Sequence, residues 1–317
     1  MEKHSLRVIH RLGWLACILM TVQPAPLRAQ TASAAQPGDT AVQPLIDARK
    51  FDEAETILRD RLKAHVTADS METAAAAGDT EWLALLLAMT KRAEEAEPLI
   101  RSAVRTREQL GDDRLTGRSL NRLASVLLER GRYEEAEAAA RRAITLLSAP
   151  GLADDRLIAA WGNAGRILEA RGRLPEAITA YSEGVGAGRR MLGDGNAVVA
   201  ALQSLLVDAE AKMSAYRERS AGQRRKVDAV ADATGRDSVE TAREHYLLSL
   251  YLALQGDIAE AETTAEQAYA IQARVLGRDH ADTRASLYQL ATILRRGAEA
   301  RAPAHVQHGD SAPPAPA

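Results

Sequence analysis

The chain is poor in the side chains that most small catalytic sites and disulfide scaffolds use. It has one cysteine in 317 residues, Cys17, and that residue falls in an N-terminal segment with the features of a cleavable leader. The remainder has no disulfide, no thiolate nucleophile and no cysteine metal site. Aromatic residues make up only 3%, with a single Phe. Basic charge is not in excess: the whole chain carries −2, so the electrostatic footprint of a nucleic-acid binder is missing. No apolar run approaches the ~20 residues that span a bilayer. The most apolar stretch, residues 12–22, follows Lys3, Arg7 and Arg11 and precedes QPAPLRAQ, with small Ala29 at the cleavage point. Basic, apolar and small segments in that order predict a secretory signal over residues 1–29. A membrane anchor formed by the uncleaved segment is the alternative. Removal of the leader takes away Glu2, Lys3, Arg7, Arg11 and Arg28. That leaves 37 of the 41 basic residues and 42 of the 43 acidic ones, a net charge of −5.

What the chain does have is Ala, Leu, Glu and Arg, residues that lose little side-chain freedom in a helix. Residues 133–143 read YEEAEAAARRA, and related phrases recur as FDEAETILRDR from Phe51, AEEAEPLIRSA from Ala93 and IAEAETTAEQA from Ile258. Taking the Ala after the acid as a marker gives Ala54, Ala96, Ala136, Ala177 and Ala261, with gaps of 42, 40, 41 and 84. The last gap holds a degenerate copy, SAYRERSAGQRRK from Ser214, with Arg219 at the marker and Gln223 and Lys226 where small apolar residues are expected. A fixed period of this length is the signature of a repeat array. Each copy predicts a helix, a stop at Gly131, Gly172 or Gly256, and a second helix with small residues three or four apart on one face. Small residues let the two antiparallel helices approach closely, and stacking covers the apolar face that one pair leaves open.

Leu120, Leu123, Ala124, Leu127, Gly131, Tyr133, Ala136, Ala140 and Ala143, and again Trp161, Ala164, Gly165, Leu168, Gly172, Leu174, Ala177, Tyr181 and Gly184, stand at the places of a known pattern. On these residues the chain resembles tetratricopeptide repeat proteins over residues 42–296. Its period is longer than the family's usual ~34. With LGRDHADT at residues 276–283, it looks like the kinesin-light-chain type. The resemblance implies an all-α, right-handed superhelical solenoid of antiparallel helix pairs, with about six repeats and a C-terminal capping helix. Residues 30–41 are expected to be a flexible linker. Residues 297–317, with four prolines and no Leu, Ile or Phe, are expected to be a disordered tail. Three departures stand out: Pro44 in a shortened first helix, Pro98 inside a second helix, and the polar fifth copy.

Catalytic spacings are not found: no HExxH, GxSxG, P-loop or CxxC occurs. GVGAGRR at residues 184–190 has the wrong glycine spacing for a phosphate loop and reads as small residues at a close helix contact. Glu94-Glu95 and Glu134-Glu135 recur with the period at helix starts, where negative charge suits the helix dipole. His280 reads as a capping or packing residue, and His305 and His308 lie in the Pro-rich tail. No metal or cofactor is expected. In the resembled family the first helices line the concave face. Carried over by repeat position, Glu81, Arg118, Asn121, Ser125, Arg166, Arg243, Tyr246, Tyr288 and Arg295 would point into a partner-binding groove, with Asn163 one place off the row. Leu85 and Glu169 share the register. The expected function is an exported scaffold, periplasmic or secreted. It performs no chemistry and binds a protein segment or peptide, in a bacterial envelope complex. Self-association into a homo-oligomer, through the fifth copy or an uncovered end helix, is the alternative. An enzyme with an unfamiliar site ranks last.

Overall fold

The computed structural model describes residues 39–149 and 154–301, and every regular element among them is helical. The expected leader, most of the linker and the tail beyond Arg301 lie outside the described residues. Twelve helices follow in order: α1 (Asp39–Asp47), α2 (Phe51–Thr67), α3 (Ala74–Met89), α4 (Ala93–Gln109), α5 (Asp113–Glu129), α6 (Tyr133–Leu147), α7 (Asp155–Ala170), α8 (Leu174–Leu192), α9 (Ala197–Thr234), α10 (Val239–Gln255), α11 (Ile258–Val275) and α12 (Ala281–Arg301). Each packs chiefly on its neighbours in sequence, as a solenoid of antiparallel pairs requires. None of the described helices is long and apolar enough to cross a membrane. α12 runs on to Arg301, so residues 297–301, the first of the expected tail, are helical. Ala298, Glu299, Ala300 and Arg301 are good helix formers, and the first proline after them is Pro303.

Two kinds of helix start alternate, and the sequence shows why. Most first helices open on a side-chain cap: Thr73, Asp112, Asp154, Asn196 and Ser238 each accept a hydrogen bond from a backbone N–H two or three residues on. Second helices α2, α4, α6, α8 and α11 have no such cap. They follow a tight turn through one residue at positive φ: Arg49, Lys91, Gly131, Gly172 or Gly256. That residue stands five places before each marker. All five markers, Ala54, Ala96, Ala136, Ala177 and Ala261, are completely buried. Pro44 lies inside the nine-residue α1, and Pro98 is the sixth residue of α4, which starts at Ala93 and continues through it.

The recurrent glutamates have partners. Arg92, Arg132 and Arg173, each just before a second helix, reach forward to Glu95, Glu135 and Glu176. They also reach back to Glu55, Glu97 and Glu137 on the preceding second helix. Arg130 and Arg171 join at Glu97 and Glu137. Individual exposed pairs contribute little, but a shared ladder fixes how one pair stacks on the next.

The fifth copy departs from the expected pairs. Ser214, five places before Arg219, sits within α9, a single helix of 38 residues, ~57 Å long at 1.5 Å per residue. No turn divides it. Leu202, Leu206, Ala209 and Met213 belong to a first core that extends back to Val42. Val227 belongs to a second core with α10, α11 and α12. The polar residues of this copy face α10: Ser220 Oγ donates to Gln255 Oε1 (2.9 Å), Gln223 Nε2 donates to Glu244 (2.7 Å), and Lys226 pairs with Glu244 (3.0 Å). The end of α10 meets the start of α8, where a Cβ on Gly256 would stand 2.5 Å from Pro175 Cγ. From α12, Arg296 donates to the Gly172 carbonyl (2.9 Å) and Glu299 pairs with Arg171 (3.1 Å).

Glycines inside helices mark close approaches. A Cβ on Gly165 would lie 2.2 Å from the ring of fully buried Tyr181, and one on Gly184 2.5 Å from Leu202. The GVGAGRR stretch is therefore a packing surface of α8. Gly186, by contrast, has only the flexible end of Arg190 within reach, at 3.5 Å. Gly165→Ala is expected to destabilise the fold by roughly 1–3 kcal/mol through overpacking. Gly186→Ala should stabilise it by about 0.5–1 kcal/mol through helix propensity. Urea denaturation followed by circular dichroism measures both.

Candidate partner-binding face

The first helices α3, α5 and α7 stack side by side, and the residues they share form two connected polar groups. The first centres on Glu81, which is wholly buried on α3. Arg118 of α5 donates to both its oxygens (3.2 and 2.9 Å), Arg107 of α4 donates at 3.0 Å, and Arg122 of α5 lies 3.1 Å away. The Arg122 guanidinium also sits 5.3 Å from the Trp82 ring centre. Burial pushes the Glu81 carboxyl up, but the fields of Arg122, Arg118 and Arg107 outweigh it and hold the group at about 2. One carboxylate thus faces three guanidiniums. Arg107 Nε and Nη1 are buried with no hydrogen-bond partner among the described residues.

The second group is neutral. Asn163 Nδ2 on α7 donates to Asn121 Oδ1 and to Ser125 Oγ on α5, both at 2.8 Å. Half-buried Arg166 follows one turn along α7. Nearby Glu129 is raised by burial, opposed by the charges of Lys91 and Arg166. Glu169 accepts from Tyr181 Oη (2.7 Å) and Lys212 (2.9 Å). Among the described residues, Arg107 and Arg118 lie at Glu81, Lys91 and Arg166 near Glu129, and Lys212 at Glu169.

The remaining residues of the expected groove lie on the second core. Arg243 on α10 pairs with Asp282 (3.0 Å), and Tyr246 is half-buried. Tyr288 on α12 is exposed, and Arg295 pairs with Glu299 (3.0 Å). The ten residues therefore fall into two sets with the unbroken α9 between them. Within the first set, Glu81, Arg118, Asn121 and Asn163 are buried and fastened to one another, while Ser125 and Arg166 keep some exposure. Register on the first helices did not point to Arg107, which comes from a second helix, or to Arg122, Lys91 and Lys212. Among the described residues no cluster has the makings of a metal site. His280 accepts from the Asp282 N–H at the start of α12, a capping contact.

The acid limb of stability follows from Glu81. Its pKa is depressed on folding, so its contribution is complete above the ordinary carboxylate value and is lost as pH falls toward about 2. Glu81→Gln should destabilise the fold by about 3–5 kcal/mol at neutral pH, since it strands buried guanidiniums. It should also flatten the loss of stability between pH ~4.5 and ~2. Urea titrations across that range test both effects.

The tetratricopeptide repeat family model matches residues 72–149 and 239–306, which hold α3 to α6 and α10 to α12. The stretch between them contains the fourth pair and the fused α9. No curated protein matches the chain. Among solved structures, kinesin light chain nearly identical TPR-like repeats of Podosopora anserina are 14% identical, with a TM-score of 0.43 over 74% of this chain and 92% of that one. BtubC (BKLC) from P. vanneervenii is 18% identical, with a TM-score of 0.36 over 88% and 97%. The TPR2AB domain of yeast Sti1, in a pHSP90 complex, is 17% identical, with a TM-score of 0.36 over 72% and 93%. With matched stretches on both sides of α9 and antiparallel helix pairs at a long, regular period, the chain carries tetratricopeptide repeats over residues 72–149 and 239–306.

Proposed function

We propose that the chain is a non-enzymatic scaffold that binds an acidic protein segment across the first helices α3, α5 and α7. The observation that carries this reading is the imbalance at Glu81, where the guanidiniums of Arg107 and Arg118 share one carboxylate. In a site shielded from water, the surplus positive charge favours an anionic group at the accessible edge. Lys91 and Arg166 extend the same sign along the surface. The Asn163–Asn121–Ser125 chain holds neighbouring first helices in register, so the face is preorganised before a segment arrives. Arginine there offers forked, charge-assisted contacts to carboxylates. The N-terminal order of basic, apolar and small residues supports export, and with it a role in a bacterial envelope complex.

Affinity capture from an envelope extract tests the reading, with wild-type chain compared against Lys91→Glu/Arg166→Glu. Both substitutions lie at accessible positions, and circular dichroism checks that helicity is unchanged. Capture of a protein by wild type and its loss with the variant is the expected result, with binding that weakens as salt rises. Equal capture by both chains would move binding away from this face.

A further inference from the structure

α12 is a first-type helix, and among the described residues no second helix follows it. Forty-two residues separate Ser249 from Ala291 and Leu252 from Leu294. In α10, Ser249 and Leu252 are buried, and Leu252 shares the second core with Ala261 and Ala265 of α11. In α12, the matching Ala291 and Leu294 are exposed. With Leu287 (47% exposed), Tyr288 (78%) and Leu294 (38%), they form one stripe along the helix. The other side of α12, with Thr283, Ser286, Leu290 and Ile293, is buried. The sequence after Arg301, APAHVQHGDSAPPAPA, carries four prolines and no Leu, Ile or Phe, and so has no run of large apolar residues to match the stripe.

The stripe is complementary to itself. In an antiparallel helix pair, the same flank of each helix faces its counterpart. With a two-fold axis at Ala291, Leu287 faces Leu294 of the second copy on one flank. On the other, Tyr288 faces Arg295 of the second copy, and Arg284 faces Glu299 of the second copy. The axis makes each contact twice. Exposed Arg284 would thus add to a carboxylate that already pairs with Arg171 and Arg295. Small Ala291 at the crossing permits close approach of the helix axes. We propose that the chain forms a two-fold dimer through antiparallel α12 helices that cross at Ala291. Such an isologous contact closes on itself. Tyr288 and Arg295, placed in the groove by repeat register, would then serve this interface. The proposal uses different side chains from the segment-binding face and stands apart from it.

Sedimentation equilibrium of the intact chain tests the dimer. The contact is small for a specific interface, so the mean mass should rise from monomer towards dimer as concentration increases through the micromolar range. Leu287→Asp/Leu294→Asp should hold the chain at monomer mass, with helicity checked by circular dichroism. Should that pair of changes unfold α12, Arg284→Glu, at an exposed position, decides instead and should weaken the dimer at least tenfold. Oxidative cross-linking in a Cys17→Ser background reads the geometry. Ala291→Cys should link two copies. Ala298→Cys should not, because two-fold-related positions there lie 14 residues apart along the pair, about 20 Å. A monomer at every concentration would overturn the proposal. So would a dimer that survives the α12 substitutions, or equal cross-linking at positions 291 and 298.

Discussion

Close approach between antiparallel helices is the constraint on which the rest of this molecule depends. The five marker alanines have no exposed surface, and each is the fourth residue of a second helix. A larger side chain at those places would hold the helices apart, and the stacking of successive pairs would lose its register. The same requirement explains the scarcity of aromatics. A core built from alanine contacts has room for few rings, and where one enters, as Tyr181 does, a glycine opposite makes the space. The ladder from Arg92, Arg132 and Arg173 then fixes the rotation between pairs from the outside.

Periodicity makes neighbours of residues far apart in sequence. Positions one period apart on first helices lie beside each other once the array stacks. Asn121 and Asn163, 42 residues apart, therefore meet and hydrogen-bond. Arg118, 37 residues from Glu81 and so about one turn short of a period, reaches it with its longer side chain. A row of polar residues at one repeat position is thus partly a means of satisfying itself. That is why several residues that register aims into the groove lie buried between helices. Within the first set, Ser125 and half-buried Arg166 are the ones that keep some exposure.

The repeat and its helix pairs were legible because each copy needs the same capped start and the same small-residue contact. The continuous α9 was not. Its tight turn is missing at Ser214, but a glycine is no reliable sign of that turn here, since Arg49 and Lys91 take positive φ in other copies. Gln223 and Lys226 read as defects of a second helix. They become intelligible only when α10 is seen beside them, with Glu244 between the two. Arg107 escaped notice because it reaches Glu81 from a second helix, outside the register that located the other residues.

A continuous helix is also a rigid ruler. Elsewhere in the array, a turn separates each pair of helices, and a residue added there disturbs only a loop. In α9 the stretch between Met213 and Ser220 joins two cores with no turn to absorb a change. One residue inserted or deleted would advance everything beyond it by about 1.5 Å and rotate it by about 100°. Gly256 would leave Pro175, and Arg296 would leave the Gly172 carbonyl. The least repeat-like segment of the array is therefore the one whose length is most tightly set.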